Sequence, residues 1–209
     1  IAYAPRPARA ALAAAASALL LAIAVRGSFA LRKQETVHAH GSAFEQLLEA
    51  LQSANETSQL EAIHHLADSG DPHAAEAIVA LLERDPSDRL VEHAAEALAD
   101  LGDDHAVPAL LAAGLRPLDP DLRLSLAEAV LRLGDPRGLG LVLAALRDDP
   151  PLLARRRAAE LLRRYFGQDF GYGPEAPGET RQAALAKLED WRARHEETLR
   201  WHGQKGRFE

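Results

Sequence analysis

From residue 42 onward, apolar side chains recur at three- and four-residue spacing, interrupted at regular intervals by glycine and aspartate. Phe44, Leu47, Leu48 and Leu51 form the first stripe, with Ser42 placed to cap it. The second runs through Ala62, Ile63 and Leu66, behind Thr57 or Ser58 as cap. A third follows through Ala74, Ala75, Ile78 and Leu81 or Leu82, and stops at Asp85-Pro86-Ser87. Shifted by 32 residues, the pattern returns as Ala94, Ala95, Leu98 and Leu101, then as Ala106, Val107, Leu110 and Leu111. It returns again as Leu126, Ala127, Val130 and Leu133, then Leu139, Val142, Leu143 and Leu146, and a last time as Ala158, Ala159, Leu162 and Tyr165. Each stripe is one buried face of a helix, so the spacing predicts an all-α chain of helix pairs.

The punctuation is as regular as the stripes. Gly70-Asp71, Gly102-Asp103 and Gly134-Asp135 recur every 32 residues. Each glycine can take the left-handed conformation that ends a helix, and each aspartate can cap the next one. Pro72 and Pro136 then fall at a first helical position, where the missing N–H costs nothing. A fourth glycine, Gly167, arrives one residue late, 33 after Gly134. A period of this length marks stacked repeats rather than one closed core.

The run from Ala94 to Leu110, Ala-x-x-Ala-Leu-x-x-Leu-Gly-Asp-x-x-Ala-Val-Pro-Ala-Leu, resembles HEAT repeats of the short bacterial type, the subclass that includes the phycobilin lyase repeats. The likeness covers about residues 42–167. It implies an α-α superhelix of antiparallel helix pairs, with the second helices on the concave side, and mostly scaffold roles beside a few enzymes. Beyond it, Gly167-Gln-Asp-Phe-Gly-Tyr172 is followed by a predicted helix from about Gly178 or Glu179 to Trp201, carrying Leu185, Leu188, Trp191, His195 and Leu199. This is similar to an ending found in bacterial HEAT-repeat proteins, often of the exported sort. Seven of the ten aromatic residues lie from Tyr165 onward, as expected of a cap over the exposed last repeat.

The start of the chain is of another kind. Arg6 and Arg9 precede an uncharged run, residues 10–25, and Arg26, Arg32 and Lys33 follow it. Sixteen helical residues span about 24 Å, short of the ~30 Å hydrocarbon layer, unless Arg26 snorkels and the next few residues join the span. The run reads either as a membrane anchor or as a signal peptide cut after Ser28-Phe29-Ala30. The expected organisation is therefore a signal or single-pass hydrophobic helix at 1–30, a tether at 31–41, repeats at 42–173 and a capping helix at 174–209.

Charge narrows the partners. Residues 42–149 carry seven basic and 21 acidic side chains, whereas residues 150–209 carry 12 basic and nine acidic. The acidic body would repel phosphate backbones, so nucleic acid is not an expected partner. With no cysteine, thiolate metal sites and cysteine catalysis are excluded. Nine histidines invite a metal, but His64 and His65 point about 100° apart on a helix, and no His-Glu dipeptide recurs in the repeats. Such dipeptides hold the irons of deoxyhypusine hydroxylase, which is also built on HEAT-like repeats. No catalytic, metal or cofactor residue is assigned.

The period does align His73, His105 and Arg137 at one position of successive repeats, a candidate recognition ladder near the starts of the second helices. Arg156, Arg157, Arg163 and Arg164 are further partner-binding candidates, spaced to share roughly one face of the last repeat helix. Gly70, Asp71, Gly102, Asp103, Gly134, Asp135 and Gly167 are assigned to structure, as caps. The small residues Ala77, Ala80, Ala109, Ala112, Gly140 and Ala144 would line a groove on the second helices. The functional expectation is a non-catalytic scaffold at the bacterial envelope that binds a protein partner through this groove, and meets the membrane through residues 10–25 if they stay uncleaved. The alternatives are a periplasmic or secreted form cleaved near Ala30, and a repeat-type enzyme resembling a chromophore lyase or a metal-dependent hydroxylase.

Overall fold

The computed structural model describes residues 43–209. Expectations for the apolar run, the cleavage site, the tether and the Ser42 cap lie outside the described residues. The chain forms two compact units, Ile1–Gln46 and Leu47–Glu209. Of the first, residues 43–46 are described and helical, and in the second the helical conformation holds over 47–52, both labelled α1. The second unit continues with α2 (Glu56–Ser69), α3 (Ala74–Leu82), α4 (Asp88–Leu101), a 3-10 turn (Asp104–Ala106), α5 (Val107–Gly114), α6 (Pro120–Arg132), α7 (Gly138–Leu146), α8 (Leu152–Phe166) and α9 (Gly178–His195). It closes with a two-stranded antiparallel hairpin, β1 (Trp201–His202) and β2 (Arg207–Phe208), in the register Trp201 to Phe208 and His202 to Arg207.

Two layers result. The first helices α2, α4, α6 and α8 lie side by side in one layer, and the second helices α3, α5, α7 and α9 form the other. Each stripe turns inward between the layers. Ile63, Leu66, Ile78, Leu98, Leu110, Leu126, Leu139, Leu146, Leu162 and Tyr165 are all below 2 % exposed. Burial of a side chain of this size is worth about 1.5–3 kcal/mol, so each repeat is held mainly by its neighbours' apolar faces. Leu101, Leu111 and Leu133 are only half-buried; Leu101 and Leu133 sit at helix ends where the stripe runs out. Among the described residues no helix is long and apolar enough to cross a membrane.

The four glycines stop their helices as expected, with φ of 65°, 71°, 80° and 70° at Gly70, Gly102, Gly134 and Gly167. After Gly134 the Asp135 N–H reaches back to Val130 O at 3.2 Å, which satisfies one of the carbonyls left over at the end of α6. The late arrival of Gly167 has a simple origin: buried positions hold the 32-residue step through Leu162 and Tyr165, and α8 then runs one residue further, to Phe166.

Three expectations are corrected. Asn55, not Thr57 or Ser58, caps α2, its side-chain oxygen accepting from the N–H groups of both. Second helices do not begin at the residue after the aspartate. Asp71 and Asp103 each accept the N–H two residues on, at 2.8 and 3.0 Å, and regular α-helix starts only at Ala74 and Val107. The last helix ends at His195 rather than reaching Trp201. There the chain turns through Thr198 and Leu199, whose N–H groups both return to His195 O. Gly206 takes φ 61° in the hairpin turn, and the fold gains a cross-strand Trp201–Phe208 pair with ring centroids 5.1 Å apart.

Candidate interaction surfaces

The outer side of the second-helix layer carries shallow troughs between successive helices. One, of about 450 Å³, lies between α3 and α5 and is lined by Val79, Ala109, Ala112 and Ala113 together with Glu83, Asp85, His105 and Arg116. Another, of about 410 Å³, lies between α1 and α3 over Ala77, Ala80 and Leu81. The sequence produces them directly, because alanine at the outward positions leaves a gap where a longer side chain would fill the space between helices. The predicted lining divides at α7. A Cβ on Gly140 would stand 2.8 Å from Arg192 Nη1 of α9, so the last helix already covers that end of the groove.

The predicted ladder is built, but each of its members is tied to its own turn. The Arg137 N–H donates to Asp135 Oδ1 at 2.9 Å, and its guanidinium returns to the same carboxylate. His105 Nδ1 lies 2.9 Å from Asp103 Oδ1 and 3.4 Å from Asp104 Oδ1, and His73 Nδ1 lies 3.7 Å from Glu76. Hydrogen bonding by Asp103 raises the His105 pKa, and the same contact, with the backbone N–H, holds Asp103 below its ordinary range. Burial pushes Asp135 up, but the hydrogen bonds and charge of Arg137 outweigh it and the carboxyl sits low. His105 also lines the trough between α3 and α5. Asp103, Asp104 and His105 also bring donor atoms within 4.8 Å of one another. They are consecutive residues, and the Asp103 oxygen already serves as the cap of its turn.

The first-helix layer presents a charged face. Arg132 of α6 pairs with Asp100 of α4, one repeat back. Arg157 of α8 donates to Ser125 Oγ at 3.0 Å and to Asp121 O at 3.1 Å, and reaches Glu128 at 3.4 Å. Arg164 meets the other oxygen of Glu128 at 3.3 Å. The predicted single basic face of α8 is therefore two. Arg157 and Arg164 turn toward α6, while Arg156 pairs with Glu175 and Arg163 with Asp169 in the segment after the helix. The split follows from the 100° step per residue, which sets adjacent arginines on different flanks. Glu92 and Glu96 line a groove of about 290 Å³ beside them and form no ion pair among the described residues.

At the far end the aromatic residues pack on one another. Trp191 contacts Phe166, Phe170 and His195, with centroids 6.0, 4.8 and 5.0 Å away. Phe208 stacks on Phe166 at 5.4 Å, and Trp201 lies 6.2 Å from Tyr165. Trp201 also roofs Gly134, where a Cβ would come within 3.1 Å of the indole. Arg181, 9 % exposed, bonds both oxygens of Asp149 at 2.6 Å and so clamps the start of α9 to the turn after α7. The sequence reading missed Glu128, Asp149 and Arg181. The 32-residue step could have found the last pair, since it places Asp149 opposite Arg181 just as it places Asp100 opposite Arg132.

With this geometry in place, comparison with known proteins adds one match. A family model of HEAT repeats matches residues 44–130, from α1 to near the end of α6, so the chain carries HEAT repeats over that segment. No curated protein matches the chain.

Proposed function

We propose that this protein is a non-catalytic scaffold that holds a segment of a partner protein along the outer side of its second helices. HEAT repeats commonly mediate protein–protein interaction, and the observation that supports this reading is the alanine-floored trough between α3 and α5. Its floor is apolar, and its charged lining residues Glu83, Asp85, His105 and Arg116 are mixed in sign, with Arg116 paired to Asp85, a combination suited to a helix or extended segment that brings mainly apolar side chains. The arginines of α8 are less suited to this role, because each is already matched to a carboxylate of its own chain. We further propose that the scaffold works at the bacterial envelope, on the ground of the uncharged run at residues 10–25.

Ala112 is exposed on α5 and lines the trough, so Ala112→Trp fills it without entering the core. Envelope extract passed over wild-type protein should retain a partner that Ala112→Trp loses and that Glu61→Lys, on the first-helix layer, keeps. Identical retention by wild type and Ala112→Trp would refute the groove. Stoichiometric metal that disappears with His73→Ala and His105→Ala would replace the scaffold with the enzyme reading. Recovery of the whole protein in the cytosol, with its N-terminus intact, would refute the envelope location.

A further inference from the structure

Along the first-helix layer, residues 29 and 32 apart in sequence meet across neighbouring helices. Arg157 of α8 reaches Ser125 of α6, 32 residues earlier, at 3.0 Å and Glu128, 29 earlier, at 3.4 Å. Moved back by two repeats, these three positions become His93, Glu61 and His64. His93 lies on α4 and the other two on α2, its neighbour in the layer. There His64 and His93 do meet, with ring centroids 5.0 Å apart and planes at 71°. An imidazole thus takes the place of the guanidinium that joins α6 to α8, and a second imidazole takes the place of its carboxylate. Glu96, three residues after His93, is the repeat equivalent of His64. His65, beside His64 in sequence, points about 100° away on the helix.

The two rings are open to a ligand. His64 is exposed, and His93 is half-buried with Nδ1 turned inward, which leaves Nε2 as its nitrogen facing solvent. The surrounding charge is negative. Together α2 and α4 carry seven carboxylates and one arginine, Arg89, which pairs with Glu56; Asp100 is taken by Arg132. Glu61 and Glu96 are exposed and form no ion pair among the described residues. Each is three residues from a histidine of its own helix, a spacing that sets the two Cβ atoms about 5–6 Å apart. The ring separation is also the one a shared ion requires. Two imidazoles on one tetrahedral ion, with metal–nitrogen bonds of about 2.0–2.1 Å, have centres about 5 Å apart.

We propose that His64 and His93 bind a divalent zinc-type metal ion, with Glu61 and Glu96 turning in as carboxylate ligands, and that the ion clips α2 to α4. Imidazole nitrogens beside carboxylates favour zinc over calcium or magnesium, which take oxygen ligands alone. The carboxylates complete the site by changing rotamer, since the donor atoms that already converge within 4.8 Å among the described residues are those of Asp103, Asp104 and His105. That second cluster comes from three consecutive residues and can tie no helix to another, whereas His64 and His93 join two repeats. The clip lies on the layer opposite the trough and is independent of the scaffold role.

The probe is zinc chloride, titrated by calorimetry into the full chain after a chelator has stripped it of metal. One ion should bind per chain, and the melting temperature should rise with zinc, because an ion held only by the folded state stabilises it. His64→Ala alters an exposed side chain, so it should melt as wild type does without zinc. With zinc it should bind about tenfold more weakly or worse, having lost one of two imidazole ligands. The same weakening is expected of His93→Ala, and a several-fold loss of the double variant Glu61→Gln, Glu96→Gln. His65→Ala and His105→Ala should leave affinity and stoichiometry unchanged, which separates this site from its sequence neighbour and from the Asp103 cluster. Cobalt in place of zinc should give the visible absorption of a tetrahedral site in wild type and lose it in His64→Ala. The proposal is overturned if zinc does not bind stoichiometrically, or if His64→Ala or the double glutamate variant binds it as wild type does. It is equally overturned if His65→Ala or His105→Ala weakens binding as much as His64→Ala.

Discussion

At each repeat boundary a glycine and an aspartate solve two different local problems, and substitutions separate them. Gly102 takes φ 71° with nothing within 4 Å of a would-be Cβ, so Gly102→Ala meets only backbone strain. Its cost should be about 1–2 kcal/mol in denaturant unfolding. Gly138 is a packing glycine: its Cβ would stand 2.8 Å from Ala127 O and 2.8 Å from Leu131 Cγ. Because a backbone carbonyl cannot step aside as a flexible side chain can, Gly138→Ala should cost about 1–3 kcal/mol, more than Gly102→Ala. Equal costs at the two sites would contradict this assignment. The aspartates act through ionisation. Asp103 raises the pKa of His105 and is itself lowered, so the His105 contribution is complete below about 6.5 and fades as pH rises through its raised value. The Asp103 contribution is complete above about 3.8 and fades as pH falls through its lowered value. Titration of the His105 ring by NMR should give a midpoint above 6.5 that returns toward it in Asp103→Asn.

Between elements, the clamp on α9 is asymmetric. The Arg181 side chain is 11 % exposed and that of Asp149 is 54 % exposed. Removing the arginine leaves a carboxylate that water can reach, whereas neutralising the aspartate leaves a buried guanidinium with fewer acceptors. Asp149→Asn keeps a residue type that tolerates the observed φ of 49°, and so tests charge alone. It should cost about 1–3 kcal/mol and exceed Arg181→Met, as read from paired unfolding curves; the reverse order would show that packing rather than charge holds α9. This clamp also shows where the sequence was legible. Stripes and glycine stops could be read because both are set within a turn or two of chain, and all of the buried positions assigned to α3, α7 and α8 are indeed buried. Ion pairs spanning 19 to 36 residues, such as Arg156–Glu175 and Arg164–Glu128, leave no local mark. Asn55 escaped because Thr57 and Ser58 are equally good capping types. The hairpin escaped because two-residue strands carry no alternation.

Across the repeat unit, each helix pair contacts only its neighbours, so stability should be distributed along the stack rather than held in one centre. Among the described residues, the C-terminal end is covered by several elements. Trp201 roofs Gly134, Phe208 stacks on Phe166, and α9 lies along α7. Deleting residues 178–209 would uncover Tyr165, Phe166 and the α7 face at once, while leaving every contact among α2, α3 and α4 unchanged. If stability is a sum of repeat and interface contributions, the loss should stay near the cut. Amide hydrogen exchange of the truncated chain should then show protection lost in α7 and α8 and largely kept in α2 and α4. Uniform loss across all helices would mean that the repeats unfold as one cooperative unit. In that case the aromatic cap would stabilise the whole stack, α3 and α5 with their trough included, and not only its last repeat.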